Sequence, residues 1–208
     1  MRQLEYTLLA EGSSDRALMR ILTWAVQQQL KDISAHGYHA DLRELRKAPR
    51  TLHERMLAAV KLYPCDLLFV HRDSDAALPQ QRKLEIQTAY AESGLSSPRM
   101  VCVIPVRMTE AWLLLDEGAI RIAAGNPNGK ENLDLPRAPD QIANPKDVLG
   151  ELLTQAGGLS GRRKKNFRPE RHIWQIPGCM EDFRILRRLT AFTDFEEELG
   201  RALVVMCP

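Results

Sequence analysis

The stretch Leu67-Leu68-Phe69-Val70-His71-Arg72-Asp73-Ser74-Asp75 decides how this chain is read, because an apolar run stops abruptly at two carboxylates. Four consecutive large apolar residues predict a strand buried on both faces, as in a parallel sheet covered by helices. Asp73 and Asp75 fall just past its carboxyl end, the edge of an open α/β sheet where ligands bind. Residues two apart on an extended chain point the same way, so both carboxylates are expected to face one hard cation, Mg²⁺ or Mn²⁺. Taken alone, Asp-x-Asp reads first as a solvated turn closing a strand. Two further acidic stretches alter that reading.

Upstream, Leu4 to Ala10 has strand character and runs directly into Glu11-Gly12-Ser13-Ser14-Asp15. Ser13 or Ser14 is expected to cap a helix over Asp15 to Leu30, where Leu18, Ile21, Leu22, Ala25 and Val26 recur at helical spacing. His36 to Leu45 reads as an edge strand, and His36 and His39 as loop residues rather than a metal pair. Leu52 to Leu62 reads as a second helix ended by Pro64. Downstream, a polar helix is expected over Gln81 to Ser93, stopping at Gly94, and a strand over Met100 to Ile104. Thr109 is expected to cap the next helix, placing Glu110 in its first turn.

Strands alternating with helices predict an α/β fold with a mostly parallel four-stranded sheet flanked by helices. This core is expected over residues 1–120. Residues 121–208 are expected to form a loop-rich and helical region packed on it, with a Gly/Pro/Asn-rich loop from Gly125 to Asn144 and a helix opened by Pro145. Helical patterns at Phe183, Leu186 and Leu189, then at Phe195, Leu199 and Leu203, complete the C-terminal extension.

With 208 residues, 44% of them hydrophobic and 27% charged, the chain has the composition of a soluble globular protein. The N-terminus shows no signal-peptide pattern, and no apolar run approaches the roughly 20 residues of a membrane span, so a cytoplasmic protein without a membrane partner is expected. Cys65, Cys102, Cys179 and Cys207 are scattered, which suits reduced thiols and gives no zinc spacing. The formal charge of +2 hides an asymmetry: Ser160 to His172 carries six basic residues against Glu170, a net +5, leaving −3 elsewhere. Such a segment suits a phosphate-rich partner.

In this arrangement Glu11, Asp73, Asp75 and Glu110 all lie beyond carboxyl ends of strands. Clustered acids repel one another unless a cation offsets them, and hydrolysis of a phosphodiester uses such a set. The ordered pattern Glu11-Gly12-x-x-Asp15 before a helix, then Asp73-x-Asp75 after an apolar strand, resembles the TOPRIM domain of topoisomerases, primases and OLD-type nucleases. Pro105-x-x-x-x-Glu110-Ala111-Trp112-Leu113-Leu114-x-Asp116 and Asn144-Pro145-Lys146 resemble a group of small stand-alone TOPRIM proteins related to OLD nucleases. The resemblance implies Glu11 as a metal ligand or general acid/base, Asp73 and Asp75 as the metal pair, and Asp15 and Glu110 as further ligands. It also implies a basic residue, Lys164 or Lys165, near the scissile phosphate. The chain departs from the TOPRIM pattern after Asp75, where Ala76-Ala77 replace the usual glycine, and it lacks the separate tyrosine domain of a topoisomerase.

The expected function is therefore a Mg²⁺- or Mn²⁺-dependent nuclease on DNA or RNA, of the kind used in phage defence. Glu11, Asp73, Lys164 and Lys165 would be catalytic, and Arg162, Arg163, Lys164, Lys165 and Arg168 would grip phosphates. The competing expectation is a non-catalytic TOPRIM-like module that docks nucleic acid or an ATPase. Since the chain has no phosphate-binding Gly-x-x-x-x-Gly-Lys-Ser/Thr loop, an ABC-type ATPase would be a separate protein.

Overall fold

Each of the four strand-like stretches overlaps a strand, although the second lies at Ile33–His39 rather than His36 to Leu45 and takes in His36 and His39, expected in a loop; every neighbouring pair runs parallel. The computed structural model describes residues 2–12, 14–30, 33–43 and 45–206. Its first half alternates β1 (Arg2–Leu9), α1 (Leu18–Gln29), β2 (Ile33–His39), α2 (Leu52–Leu62), β3 (Leu67–His71), α3 (Pro79–Ser93) and β4 (Arg99–Val103). Its second half is helical: α4 (Glu110–Leu113), α5 (Glu117–Ala123), α6 (Pro145–Ala156), α7 (Gly161–Asn166), α8 (Glu170–Ile173), α9 (Ile176–Cys179) and α10 (Thr190–Met206). The strand order is β2-β1-β3-β4, so the protein is α/β with an all-parallel, Rossmann-like sheet. The chain leaves β1 toward β2 on one side and returns past it to β3 on the other. This reversal makes the crevice between the ends of β1 and β3 the topological switch point.

Alternation along the strands divides the core into two layers. Tyr6, Leu8, Leu67, Phe69, Val101 and Val103 face α1 and the C-terminal helices, whereas Leu9, Leu68, Val70 and Cys102 face α2 and α3. Phe69 packs edge-on against Tyr6, with centroids 5.2 Å apart, and lies 5.9 Å from Phe195 of α10. Leu149, Leu153, Ile176, Phe192 and Leu199 join the same cluster, so the C-terminal helices complete the layer over one face of the sheet. At the β4 edge, Glu198 of α10 accepts a hydrogen bond from the Cys102 amide at 2.8 Å and pairs with Lys83 at 2.5 Å.

One glycine is required by its backbone angle and another by its surroundings. Gly94 ends α3 at φ 68°, the left-handed conformation that closes many helices. Gly37 of β2 lies under the Tyr6 ring, and a Cβ there would collide with Tyr6 Cζ. That approach seats the Tyr6 hydroxyl 2.9 Å from the Met19 carbonyl, to which it donates, and 2.6 Å from Thr23 Oγ1.

Several local expectations are corrected. Helix α1 is preceded by a 3-10 turn at Ser14–Ala17 and has no side-chain cap. Asp15 organises the turn instead, accepting from the Gly12 amide at 2.8 Å, the reach-back half of a capping box. Ser13 lies outside the described residues. Thr109 caps nothing, since it is already helical and its hydroxyl is used elsewhere. Helix α5 is an addition to the expected elements; Asp116 caps it by accepting from the Ala119 amide at 2.9 Å. The Phe183, Leu186, Leu189 pattern forms a 3-10 helix at Arg184–Arg188, too short for a full helical face.

Candidate active site at the carboxyl edge of the sheet

Strand β3 carries its apolar run one residue further than expected, to His71. The chain beyond it stays zipped to the loop after β4: the Arg72 amide donates to Val103 (3.1 Å), Ser74 to Pro105 (3.1 Å) and Asp75 to Arg107 (2.8 Å). The buried Ser74 hydroxyl accepts from the Arg107 amide at 2.8 Å. Asp75 and Arg107 both take positive φ, 51° and 63°, a region that costs a side-chain-bearing residue energy. Asp75 therefore sits in a left-handed turn rather than extended chain. The expectation that Asp73 and Asp75 project the same way is corrected here, because alternation holds only while the backbone remains extended.

Asp73 turns inward to His71. The imidazole is fully buried, with Nε2 2.9 Å from Thr109 Oγ1 and 3.2 Å from Asp73 Oδ1, and Nδ1 3.4 Å from Asp15 Oδ2. The last is an electrostatic contact without hydrogen-bond alignment. Burial alone would push the His71 pKa down, but the close contacts and negative charges of Asp15 and Asp73 outweigh it and raise the pKa to about 9. His71 is thus an imidazolium at neutral pH, a buried cation clamped between two carboxylates. Burial pushes Asp15 upward, yet His71 and the Gly12 amide prevail and hold it below the usual carboxylate range. Thr109 secures Asp73 from above, its amide donating to Oδ1 at 2.9 Å. Asp73 Oδ2 accepts no hydrogen bond among the described residues.

Arginines hold the outer acids. Glu11 Oε1 lies 2.6 Å from Arg72 Nε, and Arg72 also reaches Glu85 at 3.0 Å. Arg82 pairs with Glu85 at 3.0 Å and Asp75 at 3.4 Å, and it donates to the Asp73 carbonyl at 3.1 Å. Arg55 donates to the Ala10 carbonyl at 2.5 Å, tying α2 to the end of β1. The repulsion expected among these acids is therefore offset by the protein's own cations.

Glu110 stands at the start of α4, half-buried. Burial raises its pKa most and the charges of Asp73 and Asp15 raise it further, while its own backbone amide and Lys146 at the start of α6 oppose them. Glu110 thus neighbours the Asp15–His71–Asp73 group. Among the described residues no three His, Cys, Asp or Glu side chains gather closely enough to hold a metal ion. The donors present still fit Mg²⁺ in one manner, because this ion is commonly held by one or two carboxylates with water and substrate phosphate completing its shell. Asp73, with a free oxygen, and Glu110, whose carboxylate meets its own backbone amide, would be those carboxylates.

The basic segment is helical and outward-facing. Arg162, Arg163, Lys164 and Lys165 lie exposed on α7, and Arg168 donates to the Lys165 and Phe167 carbonyls at 2.8 and 3.1 Å. Lys164 shares a depression of about 740 Å³ with Lys146, Glu151 and Glu170. None of Glu11, Asp15, Asp73, Asp75 and Glu110 lines this depression.

His71, Thr109, Arg72 and Lys146 were not among the expected site residues. His71 had a legible signal, since an ionisable side chain closing a doubly buried strand needs partners. No family model, curated protein or solved structure matches the chain. No helix among the described residues is long and apolar enough to cross a membrane.

Proposed function

We propose that this protein hydrolyses phosphodiesters of DNA or RNA with Mg²⁺ or Mn²⁺ at the switch point between β1 and β3. The supporting observation is the convergence of three chain segments at the carboxyl edge: His71 lies between Asp15 and Asp73, and the Thr109 amide, next to Glu110 in the chain, donates to Asp73 Oδ1 at 2.9 Å. Asp73 and Glu110 would hold the cation, and Glu11 would join them if released from Arg72. When bound, the cation would supply Lewis-acid stabilisation of the phosphate and an activated water. The chain's own residues would orient and neutralise: His71 and Thr109 fix the Asp73 carboxylate, while Lys146 and Lys164 offset phosphate charge. The test is digestion of plasmid DNA, single-stranded DNA and hairpin RNA with Mg²⁺, Mn²⁺ or chelator. Metal-dependent cleavage is expected, reduced roughly 100-fold or more in Asp73→Asn.

A second reading rests on the pairing of Glu11 with Arg72 at 2.6 Å. A glutamate already neutralised by an arginine suits a binding module that docks nucleic acid or a separate ATPase without catalysis. Intact substrates under every metal condition, together with retained nucleic-acid binding, would favour it.

A further inference from the structure

Away from the carboxylates, the turn between β1 and α1 forms one wall of a groove of about 810 Å³, whose other wall is the chain around α8 and α9. Trp174 stands on that second wall with 55% of its surface exposed, although Ile176 two residues on is fully buried. The chain beside it is anchored. His172 Nδ1 donates to the Ala123 carbonyl at 2.8 Å, His172 stacks on Phe167 with centroids 4.6 Å apart, and Ile173 packs against the main core. The facing wall presents Arg16 and Arg20, both exposed. Neither forms an ion pair among the described residues, and Arg20 makes only a 3.4 Å contact with the Gly178 carbonyl. No acid lines the groove among the described residues; Met19, Ala17 and Pro177 give it an apolar floor.

We infer that this groove is a stacking platform for single-stranded nucleic acid, with a base on Trp174 and the backbone phosphates along Arg16 and Arg20. An exposed aromatic on an anchored segment beside unpaired cations is the combination that binds unpaired bases without reading their sequence. A duplex keeps its base faces covered and cannot use Trp174 in this way. Ser14 and Arg16 line the groove and flank Asp15, so the groove adjoins the turn that carries one acid of the proposed site. This deepens the nuclease reading by naming its substrate class, and it is tested by binding alone, without metal.

In chelator, a fluorescein-labelled 12-nucleotide oligo(dT) is titrated with protein and followed by anisotropy, while unlabelled oligo(dT) is followed by quenching of tryptophan emission. Trp24 and Trp112 pack into the core, so quenching should vanish in Trp174→Phe. Trp174→Ala should weaken oligo(dT) roughly 5- to 150-fold, the equivalent of 1–3 kcal/mol per stacked base, with its melting temperature unchanged because the side chain is exposed. Arg16→Ala and Arg20→Ala should each flatten the salt dependence by about 0.7 in slope. Blunt duplex should bind without quenching Trp174. Wild-type affinity in Trp174→Ala overturns the platform, as does quenching by polyglutamate but not oligo(dT), which would make the groove a dock for an acidic protein segment. If the platform fails while metal-dependent cleavage persists, only the substrate path is lost; if oligo(dT) binds as described and no substrate is cut, only the nuclease reading is lost.

Discussion

Glu11 and Arg72 meet 2.6 Å apart across the ends of β1 and β3, so the acid expected to bind metal is engaged by a cation from the adjacent strand. Arg72 also holds Glu85 of α3 at 3.0 Å, making it the bracket between the switch point and that helix. Arg72→Gln should release Glu11 toward the crevice and raise Mn²⁺ affinity measured by calorimetry. It should also cost about 1 kcal/mol or less in urea unfolding, because the two carboxylates that lose their partner are more than a third exposed and regain water. Unchanged Mn²⁺ affinity would mean that Glu11 has no part in cation binding.

His71 gives the metal-free protein a defined alkaline limit. Its pKa is about 9 when folded and 6.5 in the unfolded reference, so its stabilising contribution is complete below about pH 6.5 and is lost as pH rises through 9. The difference corresponds to something on the order of 3 kcal/mol. Asp15 works in the opposite sense: its folded pKa is lowered, so its contribution is present above the ordinary value of 3.8 and lost as pH falls below it. Melting temperature should therefore fall on both sides of a neutral plateau, and His71→Gln should remove most of the alkaline slope.

Asp73→Asn separates charge repulsion from charge pairing. Were repulsion among the acids dominant, the variant would be more stable. With a buried imidazolium 3.2 Å away and the Thr109 amide at 2.9 Å, the carboxylate is paired, and its neutralisation should destabilise by about 1–3 kcal/mol at pH 7. The deficit should shrink above pH 9, where His71 sheds its proton. A higher melting temperature at pH 7 would contradict this account.

Gly37→Ala places a methyl group inside van der Waals distance of the Tyr6 ring, so β2 or the ring must shift. Overpacking of this kind costs about 1–3 kcal/mol, readable as a lower urea midpoint. Tyr6→Phe would lose its hydroxyl contacts to Met19 and Thr23, but the double variant should remain strained because the ring itself is in the way.

Replacement of Arg162, Arg163, Lys164 and Lys165 by Ala should weaken nucleic-acid binding and flatten its salt dependence, by about 0.9 for each phosphate no longer neutralised on duplex DNA or about 0.7 on single strands. Folding should change little, since all four side chains are exposed. An unaltered salt slope would remove α7 from the interface.

The sheet was legible because Leu67 to Val70 and Met100 to Val103 are continuous apolar runs, and because Leu18, Ile21, Leu22, Ala25 and Val26 repeat at helical spacing. The acids could be assigned to one edge for the same reason: each follows a strand. What the pattern could not give was their pairing. The inward turn of Asp73 depends on a left-handed Asp75 without the glycine that would have signalled it. His71, Thr109 and Lys146 converge from segments far apart in sequence, and such meetings leave no local periodicity. Helix α5 is hidden in the sequence because Asp116 reads as the end of one apolar stretch while also capping the next.

The hydrogen bond from the Cys102 amide to Glu198 has a meaning for the outside of the molecule. An edge strand with open amides invites a strand from another chain, and natural sheets commonly block such edges. Here α10 occupies that position beside β4, with Lys83 neutralising the blocking carboxylate. The other border of the sheet is β2. A second copy that joined there would carry its own acidic crevice on the same rim of a continuous sheet if the added strand ran parallel, and on the reverse rim if it ran antiparallel.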